Sequence, residues 1–142
     1  MIQIYTDGSY RKKHLAAAAA IVIIFDDGSM QIDHKYLGEK TNNYAELSAI
    51  KMALCWCVKH RLTNEKILIS SDSTYAIGIA TEQMNPKANK ELAEEVIELT
   101  KGFKNLTIRW VKAHSANRYN KVADTVANIC VDQHHGLDKV YP

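Results

Sequence analysis

The sequence contains no apolar run approaching the roughly 20 residues that a helix needs to span a bilayer. The longest candidate, LAAAAAIVIIF from Leu15 to Phe25, follows Arg11, Lys12, Lys13 and His14 and has the outline of a signal peptide. It lies too far inside the chain and has no cleavage pattern, and its Ile and Val content suits a buried strand instead. Cysteine is scarce: Cys55, Cys57 and Cys130 cannot all pair with one another. Cys55 and Cys57 stand two apart in a predicted helix and point in different directions, and neither has His or Cys at metal-ligand spacing, so the expectation is reduced thiols in a cytoplasmic protein. A large excess of charge of either sign is also missing. A formal net charge of +2 permits a polyanionic partner without requiring one. There is no internal repeat, low-complexity linker or composition shift, and 142 residues accommodate one core and not two, so a single domain over 1–142 is expected.

What is present is a sequence of alternating elements. IQIYTDGS predicts a strand ending at the turn cluster Asp7-Gly8-Ser9, and LAAAAAIVIIF a second strand. Asp26-Asp27-Gly28-Ser29 predicts a hairpin turn and MQIDHKYLG a third strand, giving an antiparallel meander. A helix follows over about 43–59, then the strand EKILISSDS and a short helix from TYAIGIATEQ. Asn85-Pro86 breaks the chain before the amphipathic helix NKELAEEVIELTKG, which ends at Gly102. LTIRWVK predicts a fifth strand, AHSANRYN a polar loop and KVADTVANICVDQ a last helix. The order implies an α/β fold, with a mixed five-stranded sheet flanked by helices. Sites in such sheets gather where strands end and their connections diverge, which brings Asp7 and Asp72 forward.

Each candidate carboxylate also has an ordinary structural explanation. Asp7 precedes Gly8 as a turn residue would, and Asp72 is placed to cap the short helix after it. With Asn43 as N-cap, Glu46 becomes the third helical residue of a near capping box. Yet Glu46 also shares the face of Leu47, Ile50, Ala53, Leu54, Cys57 and Val58, where an unpaired carboxylate is costly. Asp124 falls off the apolar stripe Val122, Val126, Ile129 and Cys130, on a side where charge is usually solvated.

Four segments in order change the weighing: YTDGS, TNNYAEL, SSDSTYAI and WVKAHSANRYNKVADTVAN. Together they resemble ribonuclease H of type 1 over nearly the whole chain, and the resemblance implies the ribonuclease H-like fold. By that resemblance Asp7, Glu46, Asp72 and Asp124 correspond to the four metal-binding carboxylates of the family. Hydrolysis of a phosphodiester needs oxygen ligands that hold two Mg²⁺ ions, with Mn²⁺ as an alternative, about 4 Å apart. The implied activity is endonucleolytic cleavage of the RNA strand of RNA–DNA hybrids, giving 5′-phosphate and 3′-hydroxyl ends.

The resemblance also implies that His114, on a loop before the last helix, assists proton transfer or product release, a role suited to an imidazole. It further implies that Thr41, Asn42, Asn43, Ser73 and Asn120 contact or lie near substrate; Asn120 also suits a helix cap. Two positions depart from the family pattern. Lys13 stands where relatives place a substrate-touching asparagine, and Thr74 where they often have glutamine. Arg11, Lys12 and Lys13 then either supplement phosphate contacts or form a solvated loop. The stretch from Glu82 to Asn105 holds no basic, Trp-bearing insertion. With no hybrid-binding module ahead of Met1, weak, salt-dependent binding by a monomer with little processivity is expected. A non-catalytic hybrid-binding module, a polymerase fragment and a DNA-directed nuclease of the same superfamily are the alternatives. The first is disfavoured because none of the four carboxylates is missing.

Overall fold

In the computed structural model the described residues are 1–113 and 117–134. They form five strands, β1 (Ile2–Arg11), β2 (Ala16–Ile24), β3 (Met30–Gly38), β4 (Lys66–Ser71) and β5 (Asn105–Trp110), and four α-helices, α1 (Asn42–Lys59), α2 (Thr74–Ala80), α3 (Lys90–Thr100) and α4 (Arg118–His134). The strands make one sheet in the order β3-β2-β1-β4-β5, antiparallel between β1, β2 and β3 and parallel from β1 through β4 to β5. This is the mixed sheet expected from the element order. No helix among the described residues is long and apolar enough to cross a membrane.

β1 is the centre of the sheet, and its alternation divides the core. Ile4 packs with Ile21, Ile23, Ile67 and Ile69 beneath Leu47, Ile50 and Leu54 of α1 and Leu92 and Val96 of α3. Tyr5, on the other face, packs with Val22 and Ala123 of α4. α1 is enclosed by the sheet and by α2 and α3, so six consecutive residues, Ala45 to Ile50, are buried. Val58, which shares the predicted apolar face, is exposed because the helix outruns the sheet. Cys57 and Cys130 are buried and Cys55 exposed, all three as free thiols.

β1 does not stop at Asp7-Gly8-Ser9; it continues to Arg11, paired with β2 through Ser9↔Ala18, Tyr10↔Ala17 and Arg11↔Ala16. The long alanine run of β2 offers a partner at every one of these positions, and pairing overrides the turn preference of an Asp-Gly-Ser cluster. The glycine serves another purpose. A Cβ on Gly8 would stand 2.6 Å from the backbone nitrogen of Glu46 and 2.7 Å from the carbonyl carbon of Ala45. Both are backbone atoms that cannot turn aside, so only glycine lets α1 lie this close to β1. Arg11 is therefore a strand residue, with only Lys12–His14 forming a short 3-10 turn before β2.

Gly8→Ala is expected to lower unfolding free energy by about 3 kcal/mol, through overpacking that no rotamer relieves. Chemical denaturation followed by circular dichroism measures it.

Candidate active site

β4 ends at Ser71, opposite Thr6 of β1, and the chain then turns into α2. Asp7 and Asp72 are the next residues on the two strands, side by side at the point where β1 loses its parallel neighbour. Trp110, at the end of β5, donates from its indole Nε1 to the Asp72 carbonyl at 3.3 Å and holds that turn. Beyond the end of β4, the Gly8 N–H donates instead to Glu46 Oε1, and also to Asp7 Oδ1 at 3.0 Å. Glu46 thus completes the open edge of β1 from the helix above it. Oxygens of Asp7, Glu46 and Asp72 all lie within 4.8 Å of one another.

Asp7 and Glu46 are buried, at 4% and 7% exposure, and Asp72 is half-buried. Among the described residues no Lys or Arg pairs with any of the three, nor with Asp124. Burial and then the neighbouring Glu46 and Asp72 carboxylates push Asp7 up to about 11. Burial also raises Glu46, to about 8, against the lowering effect of its hydrogen bonds with Asp7 and the Gly8 amide. The natural resolution without a cation is a proton on Asp7 donated to Glu46. Three converging hard oxygen donors with uncompensated charge fit a divalent cation of the Mg²⁺ type, whose own charge reverses the cost of keeping them ionised.

The structure decides several local alternatives. Thr41, not Asn43, is the N-cap of α1: its hydroxyl accepts from the Tyr44 amide at 3.1 Å. Glu46 therefore lies beyond the first turn, and its carboxylate serves the strand rather than a capping box. Asp72 does not cap α2, because Ser73 does, accepting from the Ala76 amide at 3.0 Å. Asn120 does not cap α4. The Asn117 side chain accepts from the Tyr119 and Asn120 amides at 3.0 and 3.2 Å, and its amide donates to the Tyr5 hydroxyl at 3.1 Å. Asn120 is buried, and its Oδ1 has no partner among the described residues.

Asp124 is not on a fully solvated side of its helix. It is half-buried because α4 lies across the odd-numbered face of β1, and its carboxylate interacts with Asp7 there. The buried stripe is shifted to Ala123, Ala127, Cys130 and Val131, as a helix packed closely on a sheet requires. Thr41, Asn42, Asn43 and Lys13 are all exposed, the first three at the entrance to α1. His114 lies outside the described residues. The residues that spacing alone did not single out are Ser9, Asn128 and Asp132, whose only signal is their alternation with Asp7 and Asp124.

The raised pKa of both carboxylates means that the folded, cation-free protein binds protons more tightly than the unfolded chain, so its stability falls as pH rises. For Glu46 the loss spans roughly pH 4.5 to 8, from its ordinary value to its raised one. With divalent ions chelated, denaturation midpoints are expected to decline across that window. Asp7→Asn is expected to flatten the decline and add about 1–3 kcal/mol at neutral pH.

A family model described as RNase H matches residues 1–131. The chain is 33% identical to ribonuclease H of Clostridium botulinum, over 92% of this chain and 95% of that protein. To ribonuclease H of Anaplasma marginale it is 30% identical, over 89% and 87%. It superposes on the ribonuclease H1 of the halophilic archaeon Halobacterium salinarum with a TM-score of 0.79 at 25% identity, covering 93% of this chain and 98% of the other. The corresponding score with a ribonuclease H1 isolated from compost by a metagenomic approach is 0.81, also at 25% identity, over 94% and 96%. With family, fold and a converging acidic triad in agreement, the chain belongs to the ribonuclease H family.

Proposed function

We propose that this protein is an endoribonuclease that hydrolyses the RNA strand of RNA–DNA hybrids with two divalent cations, Mg²⁺ first and Mn²⁺ as the alternative. The observation that carries the reading is the convergence of Asp7, Glu46 and Asp72 from three separate parts of the fold, with no protein cation paired to them among the described residues. Asp7, Glu46, Asp72 and Asp124 would hold the two ions. When bound, these supply an activated water and charge compensation at the departing 3′ oxygen.

The chain's own residues supply geometry. The Gly8 amide fixes one oxygen of Glu46, and Asp7, held in mid-strand, would be among the ligands of the ions. The Thr41 cap makes the start of α1 rigid, so that exposed Asn42 and Asn43 meet the minor groove with little ordering cost. Contacts there to ribose 2′-hydroxyls distinguish the RNA strand. Ser73 holds the turn that carries Asp72, and Asn120 is buried in the first turn of α4. Lys13 adds a phosphate contact, and His114 aids proton transfer. Arg11 is committed elsewhere: its guanidinium pairs with Asp132 and leaves Lys12 and Lys13 as the exposed cations of that turn.

Asp72→Asn is expected to reduce cleavage of a labelled RNA–DNA hybrid by about 10³-fold, or ~4 kcal/mol of transition-state stabilisation, while the melting curve shows an intact fold. The same assay run on RNA–RNA and DNA–DNA duplexes, with Mg²⁺ and Mn²⁺, tests substrate and metal together. Undiminished cutting by Asp72→Asn, or preferential cutting of DNA duplexes, overturns the reading.

A further inference from the structure

Below the acidic cluster, β1 and α4 are joined by a row of polar side chains. Asp7, Ser9 and Arg11 alternate along one face of β1, opposite Asp124, Asn128 and Asp132, one turn apart on α4. Two residues of strand advance about 6.6 Å and four residues of helix about 6 Å, so the two series stay in step. Ser9 Oγ donates to Asn128 Oδ1 at 2.5 Å, and Arg11 Nη2 donates to the same oxygen at 3.2 Å. Arg11 Nε and Nη2 grip the Asp132 carboxylate at 2.8 and 3.1 Å, and Nη1 donates to Ser9 Oγ at 3.1 Å. Asp132 is 1% exposed and the Arg11 side chain 25%, so this is a part-buried, forked ion pair.

These bonds have a directional consequence. Arginine carries donors only, so the Asn128 amide oxygen must face it and the NH₂ must turn the other way. There it donates to Asp124 Oδ1 at 3.4 Å. A pair four residues apart on a helix is ordinary, but here the orientation of its donor is dictated from the neighbouring strand. The row therefore runs from the Arg11–Asp132 pair through Asn128 to the carboxylate that approaches Asp7.

We propose that Asn128 is a positioning residue for cation binding. Set by Ser9 and Arg11, it engages one oxygen of Asp124 and holds that carboxylate toward Asp7. The inference rests on the reading of Asp124 as a metal ligand. A side chain that only fastened α4 to the sheet would affect stability and leave cation affinity alone.

The test is an Mg²⁺ titration of the whole chain followed by NMR shifts of the Gly8 and Asp124 amides, together with the Mg²⁺ dependence of hybrid cleavage. Asn128→Ala is expected to weaken Mg²⁺ binding about 10-fold, within the range found when an outer partner of a metal ligand is removed. The Mg²⁺ midpoint for cleavage is expected to rise by more than kcat at saturating Mg²⁺ falls. Ser9→Ala removes one support, leaves the helix surface untouched and is expected to shift the midpoint in the same direction by less; it carries the test if Asn128→Ala does not fold. In an Asp124→Asn background, Asn128→Ala is expected to change Mg²⁺ binding no further. Wild-type Mg²⁺ affinity in both Asn128→Ala and Ser9→Ala, with Asp124→Asn impaired, overturns the positioning role and leaves the Asp124 assignment standing. Wild-type affinity and cleavage in Asp124→Asn overturns the assignment itself.

Discussion

The structure depends on a place where a strand and a helix touch backbone to backbone. At Gly8 there is no room for a methyl group between β1 and the first turns of α1. That contact fixes the height of α1 over the sheet and the direction in which Glu46 descends. It also supplies the Gly8 amide as the partner that a buried carboxylate needs. Because α1 is enclosed on nearly all sides, its position is inherited by α2 and α3, and the upper core is built outward from it.

The site is electrostatically incomplete by construction. β1 brings Asp7 to the point where its parallel neighbour ends, β4 brings Asp72 there, and the helices on opposite faces lower Glu46 and Asp124 toward the same strand. No Lys or Arg among the described residues pairs with them. Packing and backbone hydrogen bonds hold in place a concentration of like charge that would otherwise disperse, and the protein answers it by binding protons more tightly or by accepting a cation. Stability is diverted locally into a geometry whose use lies outside the folded chain.

Much of this was legible from the sequence. The alanine-rich β2, the Met30–Gly38 strand, the extent of α1 and the amphipathic α3 follow from periodicity and turn residues, because burial there is regular. What escaped was set by contacts between distant segments. Asp7-Gly8-Ser9 has the local chemistry of a turn, and only its pairing with Ala18 to Ala20 makes it strand. Thr41, Asn42 and Asn43 all suit an N-cap, and the choice among them depends on where α1 meets Gly8. Asp124 lies off the largest side chains of its helix, yet α4 seats itself on small ones, Ala123 and Ala127, which a hydrophobicity pattern underweights. The four carboxylates were recognisable through the family motifs, while the row beneath them became visible only once strand and helix lay side by side.

The seating of α4 sets an order of loss. Its fully buried apolar side chains are two alanines, a cysteine and a valine, with Tyr119 and Val122 partly buried beside them, and among the described residues it rests on β1, β2 and β3 without extensive contact with another helix. Lifting it exposes less apolar surface than lifting α1, so amide protons in α4 are expected to exchange before those of α1. One of the four acidic side chains thus rides on a helix held by small apolar side chains and by polar bonds to β1.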